Sequence, residues 1–199
     1  MTDNRITNLR ITNHELSISV RHICAIEICM TTPHPSDIIV SSPTTVECGT
    51  KTYRAVIGKS GLTDNKIEGD GATPRGVFPL RHVYFRADRI APPKTGLPLI
   101  AITRNDGWCD DANHPAYNTP VQLPFTASHE AMWRGDHVYD IVLVLGYNDA
   151  PIIQGKGSAI FMHLAQPDWS RTEGCVAVDE SSLREILAQL THHSRIHIR

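Results

Sequence analysis

Aromatic side chains are scarce: Phe, Trp and Tyr make up 6% of the 199 residues, so a core built from this chain is mainly aliphatic. A charge excess is missing too. Lys and Arg number 19 against 21 Asp and Glu, a net charge of -2. Polyanion binders carry a basic excess or a basic block, so no nucleic-acid partner is expected. No apolar run approaches the roughly 18 residues of a membrane-spanning helix, and no membrane segment is expected either. There is no Cys-x-x-Cys pair, and His129-Glu130 has no second His in the His-Glu-x-x-His register. Zinc knuckle and zinc-peptidase signatures are therefore both lacking. Walker and dinucleotide-binding glycine motifs are lacking as well, so neither a metal nor a cofactor is expected.

Residues 1–30 do not read as a secretory leader. A leader needs an apolar run of about 7–15 residues after a basic start. Here Asn, Arg, Thr, His and Glu interrupt every apolar stretch. The expected location is the cytoplasm, with the periplasm as the alternative. The five cysteines point the same way: an odd number cannot pair fully within one chain, and a chain of this size needs no disulfide framework. At least one thiol is expected to be free.

What is present is a soluble-protein composition, 41% apolar and 20% charged. Short β-rich runs bounded by Gly, Pro, Asn and Asp dominate. Residues 37–41, 52–57, 76–85, 98–103, 139–147, 158–164, 174–178 and 195–199 read as strands. Asp140–Gly146 is a continuous apolar run rich in Val and Ile, the pattern of a strand buried on both faces. One helix is clear after residue 178: Leu183, Ile186, Leu187 and Leu190 follow at i, i+3, i+4 and i+7, with Asp179 or Ser181 to cap it. A shorter helix is predicted over 127–134, capped by Thr126 or Ser128. The expected fold is mainly β, a sandwich or barrel with one or two short helices. Residues 35–199 form the expected domain, and residues 1–34 an extension.

The chemistry concentrates in residues 158–179. A β-rich run ends in His163, a short polar loop follows, and Thr172-Glu173-Gly174-Cys175 opens a second run. Antiparallel strands joined by this loop would set His163 beside Cys175. A thiol nucleophile needs such a neighbour, because the thiolate is the reactive form and its proton must be taken. Gly174 lets the backbone turn sharply, so that nearby N–H groups can meet a developing oxyanion.

The stretch His163…Thr172-Glu173-Gly174-Cys175 resembles the signature of the L,D-transpeptidase catalytic-domain family (YkuD-like): a His, a loop, then Ser/Thr-His-Gly-Cys. Upstream, Ala55-Val56-Ile57-Gly58-Lys59-Ser60-Gly61 and Asp70-Gly71-Ala72-Thr73-Pro74-Arg75-Gly76-Val77-Phe78 resemble a second block of that family. The resemblance covers roughly residues 37–199. It implies a mostly β catalytic domain whose cysteine attacks the diaminopimelate carbonyl of a peptidoglycan stem tetrapeptide and releases D-Ala. It carries over to Cys175 and His163 as nucleophile and base, and to Thr172 and Gly174. Three departures stand out: Glu173 replaces the usual His, Ala177 stands where many members place Arg, and the loop is short.

Other residues are expected near the pocket. Trp108 and Asp110, in Asp106-Gly107-Trp108-Cys109-Asp110-Asp111, suit a zwitterionic diaminopimelate end. His137 and Tyr139 alternate on one face of a strand. Glu173 belongs to the same set, and Arg75, Arg104, Arg171 and Lys59 are candidate cations for a substrate carboxylate. Cys109 is the rival thiol. The expected activity is L,D-carboxypeptidase trimming of muropeptides during peptidoglycan recycling, with water as acceptor. The alternatives are L,D-transpeptidation with an amine acceptor and a non-catalytic peptidoglycan-fragment binder.

Overall fold

The computed structural model describes residues 33–199. The expectations for residues 1–30 lie outside the described residues. Among the described residues the chain is mainly β with one short helix, and no helix is long and apolar enough to cross a membrane.

The main sheet is organised by a long strand, β6 (Gly76–Phe85), which carries the β-branched and aromatic residues Val77, Phe78, Val83, Tyr84 and Phe85 and passes through Pro79 where its partner changes from β14 to β11. Its second half pairs antiparallel with β11 (Ile141–Leu145), and its first half with β14 (Arg195–Ile198). From β11 the sheet continues through β12 (Phe161–Leu164) to β13 (Val176–Val178). From β14 it continues through β1 (Ile38–Ser42) and β2 (Thr45–Cys48) to β3 (Lys51–Arg54), while the short β7 (Leu99–Ala101) pairs parallel with β6, and β4 (Leu62–Thr63) and β5 (Thr73–Pro74) form a separate parallel pair. Val56, just past β3, bridges to Ala177 of β13 with N–H···O bonds of 2.9 and 2.8 Å. That contact brings the two ends of the sheet together, so it is nearly closed and barrel-like.

The double-sided burial expected for Asp140–Gly146 follows from two cores. Ile141, Leu143 and Leu145 point into the larger core, while Val142 and Val144 point into a second one with Tyr84, Trp108, Met132, Tyr139 and Phe161. The helix α1 (Glu180–Leu187) closes the larger core. Its Leu183, Ile186 and Leu187 are fully buried, each stabilising the fold by about 1.5–3 kcal/mol. Of the two candidate caps the structure uses Asp179, whose carboxylate accepts from the Ser182 N–H at 2.9 Å.

Two expectations fail. Residues 127–134 are not helical: His129–Ala131 is a strand, β10, paired with β8 (Asp106–Cys109), which also pairs β9 (Pro120–Gln122). Cross-strand pairing overrides the weak helix preference of Ala-Ser-His-Glu-Ala-Met. The three strands form a separate small sheet, a lobe on the side of the second core. Strands β12 and β13 are parallel, not antiparallel.

Candidate active site

The parallel register still brings the expected pair together. Met162 lies opposite Val176 and His163 opposite Ala177. Alternation then puts His163, Ala177 and Cys175 on one face of the sheet, the face of the second core. Both His163 and Cys175 line a cavity of about 630 Å³.

The Cys175 loop is held from behind by the glycine-rich segment after β3. Thr172 N–H donates to Ile57 O at 3.1 Å, and Lys59 N–H to Thr172 O at 2.8 Å. Gly58 is required by close approach: a Cβ there would stand 2.4 Å from Gly71 O and 2.9 Å from Thr73 N. Gly174 adopts φ 142°, and a Cβ would stand 2.9 Å from Ala72 O. Thr172 braces the turn, its Oγ1 donating to Cys175 O at 2.6 Å and accepting from Gly174 N–H at 3.2 Å. The Gly174 amide, expected at an oxyanion, is thus engaged with Thr172.

The sulfur sits between a donor and an acceptor. Phe161 N–H donates to Cys175 Sγ at 3.3 Å, and the thiol donates to Ala159 O at 3.2 Å. Burial, then the charge of Glu130, pushes the thiol up to about 12, with the Phe161 N–H and Lys66 opposing. Burial holds the His163 imidazole down at about 4. The resting pair is therefore a neutral thiol and a neutral imidazole. His163 Nδ1 lies 2.9 Å from Leu164 O; a carbonyl only accepts, so Nδ1 carries the hydrogen and Nε2 has a free lone pair.

These two sequence blocks, now packed against one another, match one family model. The model describes the L,D-transpeptidase catalytic domain (YkuD), and it covers residues 36–198. The chain belongs to the L,D-transpeptidase catalytic-domain family. No curated protein and no solved structure matches it at a significant level. Membership brings cysteine-dependent L,D-transpeptidase-type activity on peptidoglycan, and the barrel-like sheet with one helix is the fold of that domain.

The other expected residues divide. Tyr139, Asp110 and Glu173 line the L,D-transpeptidase cavity with Cys175, His163, Gly174 and Thr172. Glu173 is an exposed rim residue, ion-paired with Lys59 at 2.7 Å. Trp108 does not reach the cavity wall. It is buried edge-on against Phe161 at 5.0 Å, because strand β8 turns it into the second core. His137 lines a smaller neighbouring cleft with Trp169, its Nε2 3.0 Å from Ala165 O. Arg75 lies outside the lining and faces Asp64 at 3.9 Å. Cys109 is fully buried and away from the lining.

The lobe supplies groups that no motif marks. Glu130 reaches the cavity, its Oε1 accepting from the Tyr139 hydroxyl at 2.5 Å, and burial raises its carboxyl. Arg134 reaches it as well, paired with Asp136 at 2.6 Å. From the other wall come Glu68, which accepts from Ser158 at 2.7 Å and from Tyr117, and Lys66, bonded to Asp70. One Asp110 oxygen is buried with no hydrogen-bond partner among the described residues. The only local hint of these residues is the pair His129-Glu130, which reads as a failed zinc motif. Their convergence depends on the pairing of β10 with β8.

Proposed function

We propose that the chain hydrolyses the diaminopimelate–D-Ala bond of peptidoglycan stem tetrapeptides, as a cytoplasmic L,D-carboxypeptidase of muropeptide recycling. The observation that carries the reading is the shared face of His163 and Cys175 in one cavity, with the imidazole hydrogen held on Nδ1 by Leu164 O and the thiol braced by Phe161 N–H. Cys175 Sγ attacks the carbonyl while its proton passes to His163 Nε2. The C–N bond then breaks, the D-Ala nitrogen takes that proton, and a thioester remains. Water, deprotonated by His163, attacks the thioester, and the thiol regains its proton as the tripeptide leaves.

The substrate class is supported by the wall chemistry. The cavity lining includes the acidic side chains Asp110 and Glu130 and the cations Arg134 and Arg171, a mixture that suits the ammonium and carboxylate of the diaminopimelate end.

The test is incubation of the protein with a purified disaccharide tetrapeptide, with and without an amine acceptor, read by mass. Tripeptide plus D-Ala is expected. A cross-linked dimer or an exchanged D-amino acid would replace hydrolysis by transpeptidation. Binding without any product would leave a peptidoglycan-fragment binder. Full activity in Cys175→Ala would remove the nucleophile.

A further inference from the structure

The residue that shapes the thiol from a distance is Asn118. It is buried, 5% exposed, and lies outside the cavity lining. All four of its side-chain hydrogen-bonding positions are filled. Nδ2 donates to Tyr147 O at 3.0 Å and to Asn148 O at 2.8 Å. Oδ1 accepts from Trp108 Nε1 and from the Ala159 amide, both at 3.0 Å. Three segments thereby meet on one side chain: the lobe strand β8, the turn after β11, and the approach to β12.

The bond to Ala159 matters because Ala159 has φ 52°, in the left-handed region that residues other than glycine rarely adopt. Nothing in Ala159 itself favours that region; unlike Asn or Asp it has no side-chain group to bond locally. The conformation has a consequence next door, since the Ala159 carbonyl accepts the Cys175 thiol hydrogen at 3.2 Å. Two residues on, the Phe161 N–H meets the same sulfur at 3.3 Å. The path of residues 159–161 therefore presents an acceptor and a donor to one sulfur atom.

We propose that Asn118 is a positioning residue: by clamping Ala159 in the left-handed region it aims the Ala159 carbonyl at Cys175, so that the thiol hydrogen rests on that oxygen until His163 takes it. The proposal deepens the reading of Cys175 as nucleophile. A hydrogen bond to the protonated form holds the proton on sulfur and also fixes the Sγ rotamer. Losing the clamp lets the peptide rotate, which removes the acceptor. The titratable groups facing the thiol are Glu130 and Arg134 from the lobe, Lys66 from the opposite wall, and Tyr139 and His163; the variants below leave all of them in place.

The test follows alkylation of Cys175 by iodoacetamide against pH, read by mass on the Cys175 peptide, beside thermal unfolding. No peptidoglycan fragment is involved, so a failure here is distinct from a failure of the substrate reading. Asn118→Ala is expected to shift the profile to lower pH by about one unit, roughly tenfold in thiol acidity. Asn118→Asp keeps both acceptor contacts and loses both donors. It is expected to lower thermal stability without shifting the profile to lower pH. Asn118→Ala/Ala159→Gly is expected to move the profile back toward the wild-type position, because glycine enters the left-handed region without steric cost. An unmoved profile in Asn118→Ala overturns the proposal. So does an equal downward shift in Asn118→Asp, or a double variant that stays with Asn118→Ala, since a merely structural Asn118 would track stability alone.

Discussion

The Tyr139 hydroxyl donates to Glu130 Oε1 at 2.5 Å, joining the strand-bound lobe to the wall of the cavity that Cys175 lines. The same phenol ring lies edge-on to His163, with centroids 5.4 Å apart. Burial, with the charge of Glu130, holds the Tyr139 phenol well above its ordinary range, so it stays a donor. The small sheet is therefore part of the site's electrostatics: its carboxylate raises the thiol, and its ring partner packs on the imidazole.

Removing that charge is expected to acidify the thiol. Glu130→Gln keeps an acceptor for Tyr139 and loses the negative charge that pushes Cys175 up. Its Cys175 is expected to alkylate at lower pH than wild type. Tyr139→Phe leaves a buried carboxylate without its donor, at a cost of about 1.5–3 kcal/mol for a charge-assisted bond. An unchanged alkylation profile in Glu130→Gln would show that the lobe charge does not reach the sulfur.

His163 is expected to make stability fall in acid. Its imidazole is held near 4 in the fold, against about 6.5 when unfolded. Between these values the unfolded chain binds a proton that the folded one refuses, so stability rises with pH across that window and the contribution is lost as pH falls through it. The window corresponds to about 3 kcal/mol at most. Urea unfolding at pH 4 and pH 7 should show a smaller difference for His163→Gln than for wild type. Equal differences would contradict the neutral buried imidazole.

Two glycines of one segment are expected to respond differently to a methyl group. Gly58→Ala drives a Cβ into backbone at 2.4 Å, which no side-chain rotation relieves. A loss of about 3 kcal/mol is expected, with misplacement of the Cys175 loop that Gly58 backs. Gly61 has φ 83° with nothing within 4 Å of a Cβ, so Gly61→Ala meets backbone strain alone, about 1 kcal/mol. Urea midpoints of the two variants check the order.

Cys175 and His163 are legible in the sequence because the chemistry lies in one short segment, where a thiol, a glycine and a histidine recur in a known pattern. Their strand direction is not: parallel pairing of β12 and β13 is set by the whole sheet, and period-two alternation alone still places both residues on one face. The fold class is legible because Val and Ile runs between turn residues specify strands, and the heptad-like spacing of Leu183, Ile186 and Leu187 specifies one helix. Glu130 and Arg134 are not legible. They lie in a stretch of helix-forming residues whose strand exists only because β8 pairs with it. Trp108 misleads for the related reason that alternation in a half-buried strand chooses between core and cavity, and that choice depends on a lobe invisible at short range.

Thr172 provides the sharpest test of the Cys175 turn. Its hydroxyl donates to Cys175 O at 2.6 Å and accepts from Gly174 N–H at 3.2 Å, so one oxygen closes the loop from both sides. Thr172→Val keeps shape and volume but leaves the Gly174 N–H without that acceptor, and the Cys175 carbonyl keeps only the longer contact from Thr73 Oγ1 at 3.4 Å. An unmade bond in a partly buried turn costs about 1–3 kcal/mol. Because the turn carries the proposed nucleophile, release of D-Ala is expected to fall at least about tenfold, a change of 1.4 kcal/mol in barrier. Thr172→Ser retains the oxygen and is expected to stay within about threefold of wild type. If Ser and Val variants lose activity equally, the hydroxyl is not what holds Cys175, and packing of the Thr172 methyl takes its place.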